Sequence, residues 1–398
     1  MFLKSFSYSL TPEDGEGWKI DNCELNNINL IAGKNASGKT RLLEAIDDFS
    51  TLLDDDKVNL IDNITFNWKM NFQDNDKKII YEFKYLNGTI LKEELKINKE
   101  IFLQRDENGK GFIKNEAVNQ KFEIEVEKNK IVIVSKRDKK QHPFLEKLFD
   151  WSDSVVKYNF GDKLGKETVY SIKVNKSTNK TILEKNKLIK LNKNSDSVIA
   201  KFHIGESEFK DKFVNRVIED FNNIGYSLEE IGITNIPNYI LSKLQNISSV
   251  PSILYIKEEN IKDTILQHEI SQGMFRALSL IIQITYLEFN LTINPVCVLI
   301  DDIGEGLDFE RSNKLIKYLV QKTEKLEGKL QLVMSTNDRF VMNSVALKYW
   351  TIIDKIDGKM NFYTQKSHSE VFEDFEDIGL NNFDFFSGEY FKQNFDDN

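Results

Sequence analysis

The sequence predicts an α/β protein built on a mostly parallel sheet, and three observations carry that prediction. An apolar strand at Ile28–Ala32 passes through a glycine-bearing loop into a helix running from Lys39 to about Leu53. Strand, helix and strand alternate again at Val296–Ile300, Phe309–Gln321 and Leu330–Met334, the order a parallel sheet needs. Between these regions, from Ile61 to about Ile204, the apolar period changes to two, the mark of a β-rich insertion.

A chain of 398 residues can bury a large core and hold more than one folding lobe. With 40% apolar and 29% charged residues it reads as globular, and five prolines with no low-complexity tract argue against long linkers. Met1–Leu10 lacks a basic start followed by an apolar stretch, and no apolar run reaches a membrane span. Cys23 and Cys297 do not make a disulfide framework, so the expected compartment is the reducing cytoplasm. Four scattered histidines show no metal-ligand spacing, which disfavours a zinc site. A net charge of −9 disfavours nucleic-acid binding by the surface as a whole, though local patches can override it.

Strands are expected at Leu3–Leu10, Trp18–Leu25 and Ile28–Ala32. In "ITFNWKMNF", Ile64, Phe66, Trp68, Met70 and Phe72 share one strand face. Similar runs recur at Lys78–Leu86, Lys121–Val126, Lys130–Val134, Val155–Phe160 and Thr168–Val174. Asn87-Gly88 and Asn108-Gly109 mark hairpin turns, and a short helix is expected near Pro143–Asp150. Residues from about Glu206 to Asn246 turn helical, with breaks at Gly225 and Pro237. A strand at Ile253–Ile256 leads to "EISQGMFRALSLIIQITYLEF", which from Ser271 onward has the apolar density of a buried helix.

"GKNASGKT", Gly33–Thr40, fits Gly-x4-Gly-Lys-Thr after a strand and before a helix, the context this phosphate loop requires. Its glycines let backbone N–H groups turn inward on phosphate oxygens, and the helix N-terminus adds positive potential. The segment Gly33, Asn35, Ala36, Ser37, Gly38, Lys39, Thr40 and Arg41 is the expected nucleotide cradle. Lys39 reaches the terminal phosphates, and the Thr40 hydroxyl ligates Mg²⁺ that arrives with ATP. Asp301, at the end of the Val296–Ile300 strand, is the expected second carboxylate for that ion, and Asp302 follows it in "IDDIGEGLD".

Ser271, Gln272 and Gly273 stand just before the long apolar helix, and here the chain resembles the ABC-type P-loop ATPases of the SMC-, RecF- and OLD-like branch. The resemblance covers roughly residues 1–53 and 252–366 at motif level. It implies an ATPase head of RecA-like, mostly parallel sheet and helices, with an antiparallel β-rich subdomain and a helical subdomain. The ATPase core would be residues 1–55 and 250–370, the β-rich insertion 56–204, the helical subdomain 205–249 and an acidic aromatic segment 371–398. Heads of this family dimerise head-to-tail on nucleotide. Ser271, Gln272 and Gly273 would then meet the γ-phosphate held by the other copy, with Asp308 in the dimer-contacting loop. A hydroxyl at a helix N-terminus suits an anion, although a Ser cap before a buried helix is also commonplace.

The chain departs from the family pattern twice. The general base, usually glutamate, is Asp302, one methylene shorter, and a switch histidine is replaced by Asn337 after Thr336. Displacements near 1 Å cost ~100-fold in rate, so slow hydrolysis is expected, with Asp302 as base and Glu305 as a less favoured substitute. No glutamine matches the metal-contacting loop, for which Tyr158–Asp162 is the expected place.

Two stretches are basic, Ser135–Lys140 and Lys173–Lys193, and DNA or RNA phosphate contact competes there with plain solvated hairpins. Phe372–Asn398 carries eight aromatics, eight acids and one lysine, which suits packing back onto the head or docking a basic partner. The metal-dependent nuclease domain into which OLD proteins continue shows no acidic cluster here, so if nucleic-acid cleavage belongs to this system it is expected on another polypeptide. The layout, including "SQGMFRAL" and "GLNNFDFF", resembles the stand-alone ATPases of bacterial anti-phage defence operons. That resemblance implies a homodimeric sensor that restrains or releases a separate effector, a nuclease or toxin. A DNA-maintenance ATPase acting directly on DNA and a near-inactive nucleotide-gated scaffold are the competing readings.

Overall fold

The structure, a computed structural model, describes residues 1–12, 17–53, 64–162, 166, 198–236, 252–290, 295–326, 328–356 and 359–392. Eight strands form one sheet: β1 (Phe2–Pro12), β2 (Trp18–Glu24), β4 (Ile64–Asp74), β5 (Lys77–Leu86), β6 (Thr89–Ile97), β7 (Glu100–Arg105), β8 (Lys110–Asn115) and β9 (Gln120–Glu125), ordered β2-β1-β4-β5-β6-β7-β8-β9. A six-stranded sheet has the order β10-β14-β15-β3-β16-β17. Its strands are β3 (Ile28–Gly33), β10 (Val155–Asn159), β14 (Val296–Asp301), β15 (Leu330–Thr336), β16 (Trp350–Ile356) and β17 (Lys359–Thr364). β11 (Leu228–Asn235), β12 (Ser252–Glu258) and β13 (Ile265–Leu266) make a third sheet.

The expected head on a mostly parallel sheet is thereby corrected. The largest sheet is antiparallel in every pairing, and so is the three-stranded one. The six-stranded sheet is mixed: parallel from β10 through β16, with β17 antiparallel at its edge. Connection length explains the outcome. Neighbouring parallel strands need a crossover of a dozen or more residues, whereas two-residue turns leave only antiparallel pairing. Asn87 and Gly88 join β5 to β6 with φ of 41° and 80°, both left-handed as a type I′ turn demands. β1 pairs with β4, Phe2 opposite Gln73, so β1 and β2 belong to the antiparallel sheet, while β3, which leads into the phosphate loop, belongs to the mixed one.

The helices are α1 (Lys39–Leu52), α2 (Val132–Ser135), α3 (Pro143–Ser154), α4 (Val198–Phe209), α5 (Asp211–Asn223), α6 (Gln272–Asn290), α7 (Phe309–Lys325), α8 (Arg339–Ser344), α9 (Ser369–Ile378) and α10 (Asn382–Ser387). The strand expected at Lys130–Val134 is replaced by α2, whose first N–H groups, of Val132 and Ile133, donate to the buried Glu93 carboxylate at 2.7 and 2.9 Å. The helical expectation to Asn246 stops early, because Leu228–Asn235 pairs with β12 as a strand. The expected strand at Thr168–Val174, the break at Pro237 and the Lys173–Lys193 stretch fall outside the described residues.

Sheet alternation splits the interior into two cores around the six-stranded sheet. Leu30, Ala32, Val298, Ile300, Leu332 and Met334 face α4, α5 and α6, while Ile31, Leu299 and Val333 face α1 and α3. Burial on both faces is what allows these strands to read as unbroken apolar runs. Leu42, Leu43, Ile46 and Phe49 of α1 fill the space below the antiparallel sheet, where Phe49 meets Trp68, Phe72, Tyr81 and Trp151. The helix that follows the phosphate loop is therefore clamped between two sheets. Cys23 and Cys297 are free and buried, and burial pushes both thiols up, that of Cys297 to about 12. Among the described residues no helix is long and apolar enough to cross a membrane.

The acidic aromatic segment packs back onto the head. Phe372, Phe375, Phe385 and Phe391 are buried in the core, with rings meeting edge-on or tilted. A second buried polar cluster joins α5, α6 and α7. Asp220 accepts from Lys322 at 3.0 Å, the Tyr318 hydroxyl at 2.8 Å and the Thr285 hydroxyl at 3.3 Å. Removing one partner of a buried pair strands the other in low dielectric. Asp220→Ala is therefore expected to cost about 3 kcal/mol, read as a lowered midpoint in chemical denaturation with an unchanged slope.

Candidate functional site

β3 ends at Gly33, and the chain turns through Lys34–Gly38 into α1. Ala36 and Gly38 both lie in the left-handed region, at φ 61° and 100°. Successive residues alternating in hand aim their N–H groups into one concavity, an anion nest. Gly38 has a second reason to lack a side chain: a Cβ there would stand 3.3 Å from the Trp18 indole nitrogen and 3.2 Å from Met360. At Gly33 a Cβ would meet the Ser37 hydroxyl at 2.4 Å.

Lys39 is mostly buried, and its Nζ donates to the carbonyls of Gly33 at 2.9 Å and Lys34 at 3.3 Å. Burial pulls its pKa down while Asp302 and Asp301 hold it up. A cavity of about 550 Å³ opens over the loop, lined by Asn35, Ala36, Ser37, Gly38, Lys39, Thr40 and Arg41 together with Asp302 and Asn337. Residues some 260 to 300 positions apart in sequence thus converge on one hollow. Among the described residues the buried Ser37 hydroxyl has no hydrogen-bond partner.

Asp301 and Asp302 are placed by the β14–β15 pairing. The Ser335 hydroxyl donates to Asp301 Oδ1 and accepts the Asp302 N–H at 3.0 Å, so one side chain on β15 orients both acids. Asp301 is buried and lies beside the cavity rather than in its wall, whereas Asp302 faces the cavity with φ 51°. Burial, then the neighbouring Asp301, raises the Asp302 carboxyl above the usual carboxylate range. Asn337 Nδ2 donates to Asn35 Oδ1 at 3.0 Å, tying the end of β15 to the phosphate loop.

The oxygen donors present suit a magnesium ion carried in with a triphosphate. Mg²⁺ prefers one or two protein oxygens plus phosphate to an all-protein cage. Among the described residues no group of three or more His, Cys, Asp or Glu could cage a metal, while Thr40, at the start of α1, and Asp301, at the end of β14, carry the hard oxygen donors that such an ion would take.

Ser271, Gln272, Gly273 and Asp308 do not line this cavity. Ser271 Oγ accepts the Met274 N–H at 3.4 Å at the start of α6, and Asp308 caps α7 by accepting the Arg311 N–H at 2.9 Å. Gly273 packs against the turn that follows Asp302: a Cβ there would stand 2.4 Å from the Gly306 carbonyl oxygen. Arg276 reinforces that seam, donating to the carbonyls of Gly161, Asp162 and Glu305. Glu305 is drawn toward Arg276 and Gly161 and is absent from the cavity wall. The Tyr158–Asp162 segment runs alongside β14, with Asn159 opposite Asp301 and the Phe160 N–H on the Asp301 carbonyl at 2.9 Å.

Sequence reasoning missed Trp18 and Lys355 in the cavity wall, Ser335 beneath the acids and Arg276 across the seam. Arg276 alone carried a usable signal, being an arginine in the first turns of an otherwise apolar helix. In the basic Ser135–Lys140 stretch, Arg137 is paired with Glu146 at 2.7 Å and stacks over Phe149, which occupies the guanidinium within the chain.

No family model matches the sequence, and no curated protein matches it. Solved structures do. One described as the SmcHead bound to the C-winged helix domain of ScpA aligns at a TM-score of 0.51, with 12% identity, over 93% of this chain and all of that one. Another, an Smc head domain with an extended coiled coil bound to the C-terminal domain of ScpA from Pyrococcus furiosus, aligns at 0.45 with 11% identity, over 94% of this chain and all of that one. At such identity the first likeness is one of fold: the chain shares the fold of that Smc head.

Proposed function

We propose that this chain is a Mg-ATP-dependent, slowly hydrolysing ATPase of the SMC-head type, located in the cytoplasm, whose heads pair around bound nucleotide. The convergence of the phosphate loop, Asp302 and Asn337 on one cavity carries the reading. Lys39 and the loop N–H groups hold the phosphates, and Thr40 and Asp301 hold Mg²⁺, which supplies charge neutralisation at the γ-phosphate. Asp302 accepts the proton of the attacking water. Its short side chain and the uncharged Asn337 keep the rate low.

The trans half of the site falls to Ser271, Gln272 and Gly273 of a second copy, with Asp308 in the contact. Two features support this. The signature residues do not line their own chain's cavity, and the exposed Phe309 stands next to Asp308 with its ring 5.1 Å from Phe340. An exposed phenylalanine resting on a half-buried one is the kind of surface a partner covers. Because Gly273 also contacts Gly306, Gly273→Ala is expected to displace the turn after Asp302 and lower turnover at least 10-fold, with melting temperature little changed. Steady-state phosphate release beside a thermal scan checks it.

The SMC-head fold favours a DNA-maintenance role, with a separate protein docking on the head, over the defence-sensor role that rests on motif resemblance alone. Sedimentation with and without Mg-ATP, followed by turnover with and without duplex DNA, tests both levels. A protein that stays monomeric with ATP bound refutes the paired-head reading. Turnover indifferent to DNA, with a toxin or nuclease co-purifying, transfers support to the sensor.

A further inference from the structure

The phosphate loop is held from one side by Asn337, and from the other by a residue that the nucleotide reading does not use. Lys34, the second residue of the loop, forms an ion pair through its Nζ with the Glu389 carboxylate, on the turn between α10 and the short 3₁₀ segment Tyr390–Lys392. Glu389 is also held by Lys392 at 3.1 Å, and Lys392 by Asp354 of β16 at 2.7 Å. β16 lies in register beside β3, with Ile353 opposite Gly33. The contacts therefore close a ring: β3, Lys34, Glu389, Lys392, Asp354, β16 and back to β3.

The position of Lys34 gives the ring its meaning. Its carbonyl accepts the Ser37 N–H at 3.1 Å and the Lys39 Nζ at 3.3 Å, so the loop's own turn and its phosphate-binding lysine both rest on this residue. Glu389 in turn cannot drift, because Phe385 and Phe391 on either side are buried in the core. It is also a non-glycine residue at φ 53°, a conformation retained only where its surroundings impose it.

We infer that Glu389 is a positioning residue for nucleotide binding: through Lys34 it makes the carboxyl-terminal aromatic segment a brace for the phosphate loop, so that ATP occupancy and seating of that segment favour each other. The inference rests on the nucleotide reading above and deepens it. Linkage makes the coupling reciprocal. Whatever braces the loop tightens ATP, and ATP must by the same factor protect the brace. Both partners are partly exposed, with side-chain exposures of 67% for Lys34 and 37% for Glu389, so the coupling is small and measurable rather than decisive.

The test is a double-mutant cycle on the full chain, read by ATP titration with Mg²⁺. Glu389→Gln and Lys34→Gln are each expected to weaken ATP about 2- to 5-fold, the span of an exposed ion pair, and the double variant to weaken it no further than one alone. In parallel, ATP is expected to slow amide exchange across residues 382–392 in the wild type, and to do so less in Lys34→Gln. Additive effects, an unchanged or tighter ATP affinity in Glu389→Gln, or ATP-indifferent exchange in that segment overturns the inference. A wild type that binds no ATP, or binds it equally after Lys39→Ala, overturns instead the nucleotide reading beneath it.

Discussion

Lys39→Ala is expected to abolish ATP binding, weakening it at least 100-fold, while leaving the fold intact. The ammonium rests on the Gly33 and Lys34 carbonyls, which aim the side chain along the loop. Among the described residues that line the cavity, Lys39 is the one buried cation; Arg41 and Lys355 line the same cavity but are exposed. The variant separates binding from stability with a clear sign. Burial already disfavours charge on Lys39, so trading it for alanine relieves desolvation in the free protein and the melting temperature holds or rises. Equilibrium titration with ATP and a thermal scan without nucleotide give the two readouts. Retained affinity would remove the chemical basis of the proposed function.

Asp302→Asn tests the other end of the site and is expected to split binding from turnover. Asparagine keeps the shape and relieves the repulsion from Asp301 that contributes to raising the Asp302 carboxyl. ATP affinity should therefore hold or improve, while phosphate release falls at least 100-fold for want of a base. The same variant should accumulate the nucleotide-bound pair, visible as a larger species in sedimentation that dissipates more slowly than in the wild type. Turnover that survives the change would move the base elsewhere. Glu305 is a poor candidate, because its carboxylate is turned toward Arg276 and Gly161 and away from the cavity.

The parts of this site that were legible in the sequence are those encoded locally. The phosphate loop is a single run of eight residues whose glycines answer to backbone geometry, so Gly33–Thr40 declares itself without any tertiary information. Asp301 and Asp302 are nearly as plain, since an apolar strand that ends in two acids has few other uses. Distant contacts left no such trace. Ser335 orients both acids from a different strand, and Glu389 meets Lys34 across more than 350 residues. Sheet membership was misjudged for the same reason. The alternation in β1 and β2 states that one face is buried but not against what, and β1 finds β4 rather than β3. Alternation also failed at Val132–Ser135, where a buried carboxylate on β6 draws two N–H groups into a helical turn that β-branched residues would not choose by themselves.

The placement of the two sulfhydryls gives the molecule a built-in clock for its own opening. Cys23 sits in β2 at the margin of the antiparallel layer, and Cys297 sits in β14, four residues ahead of Asp301. Both are sealed from solvent, so an alkylating reagent can reach either only when its layer parts. Because the reagents mark them separately, the order of modification reports whether the outer sheet peels away before the strand beneath the acids, and whether triphosphate slows one event or both.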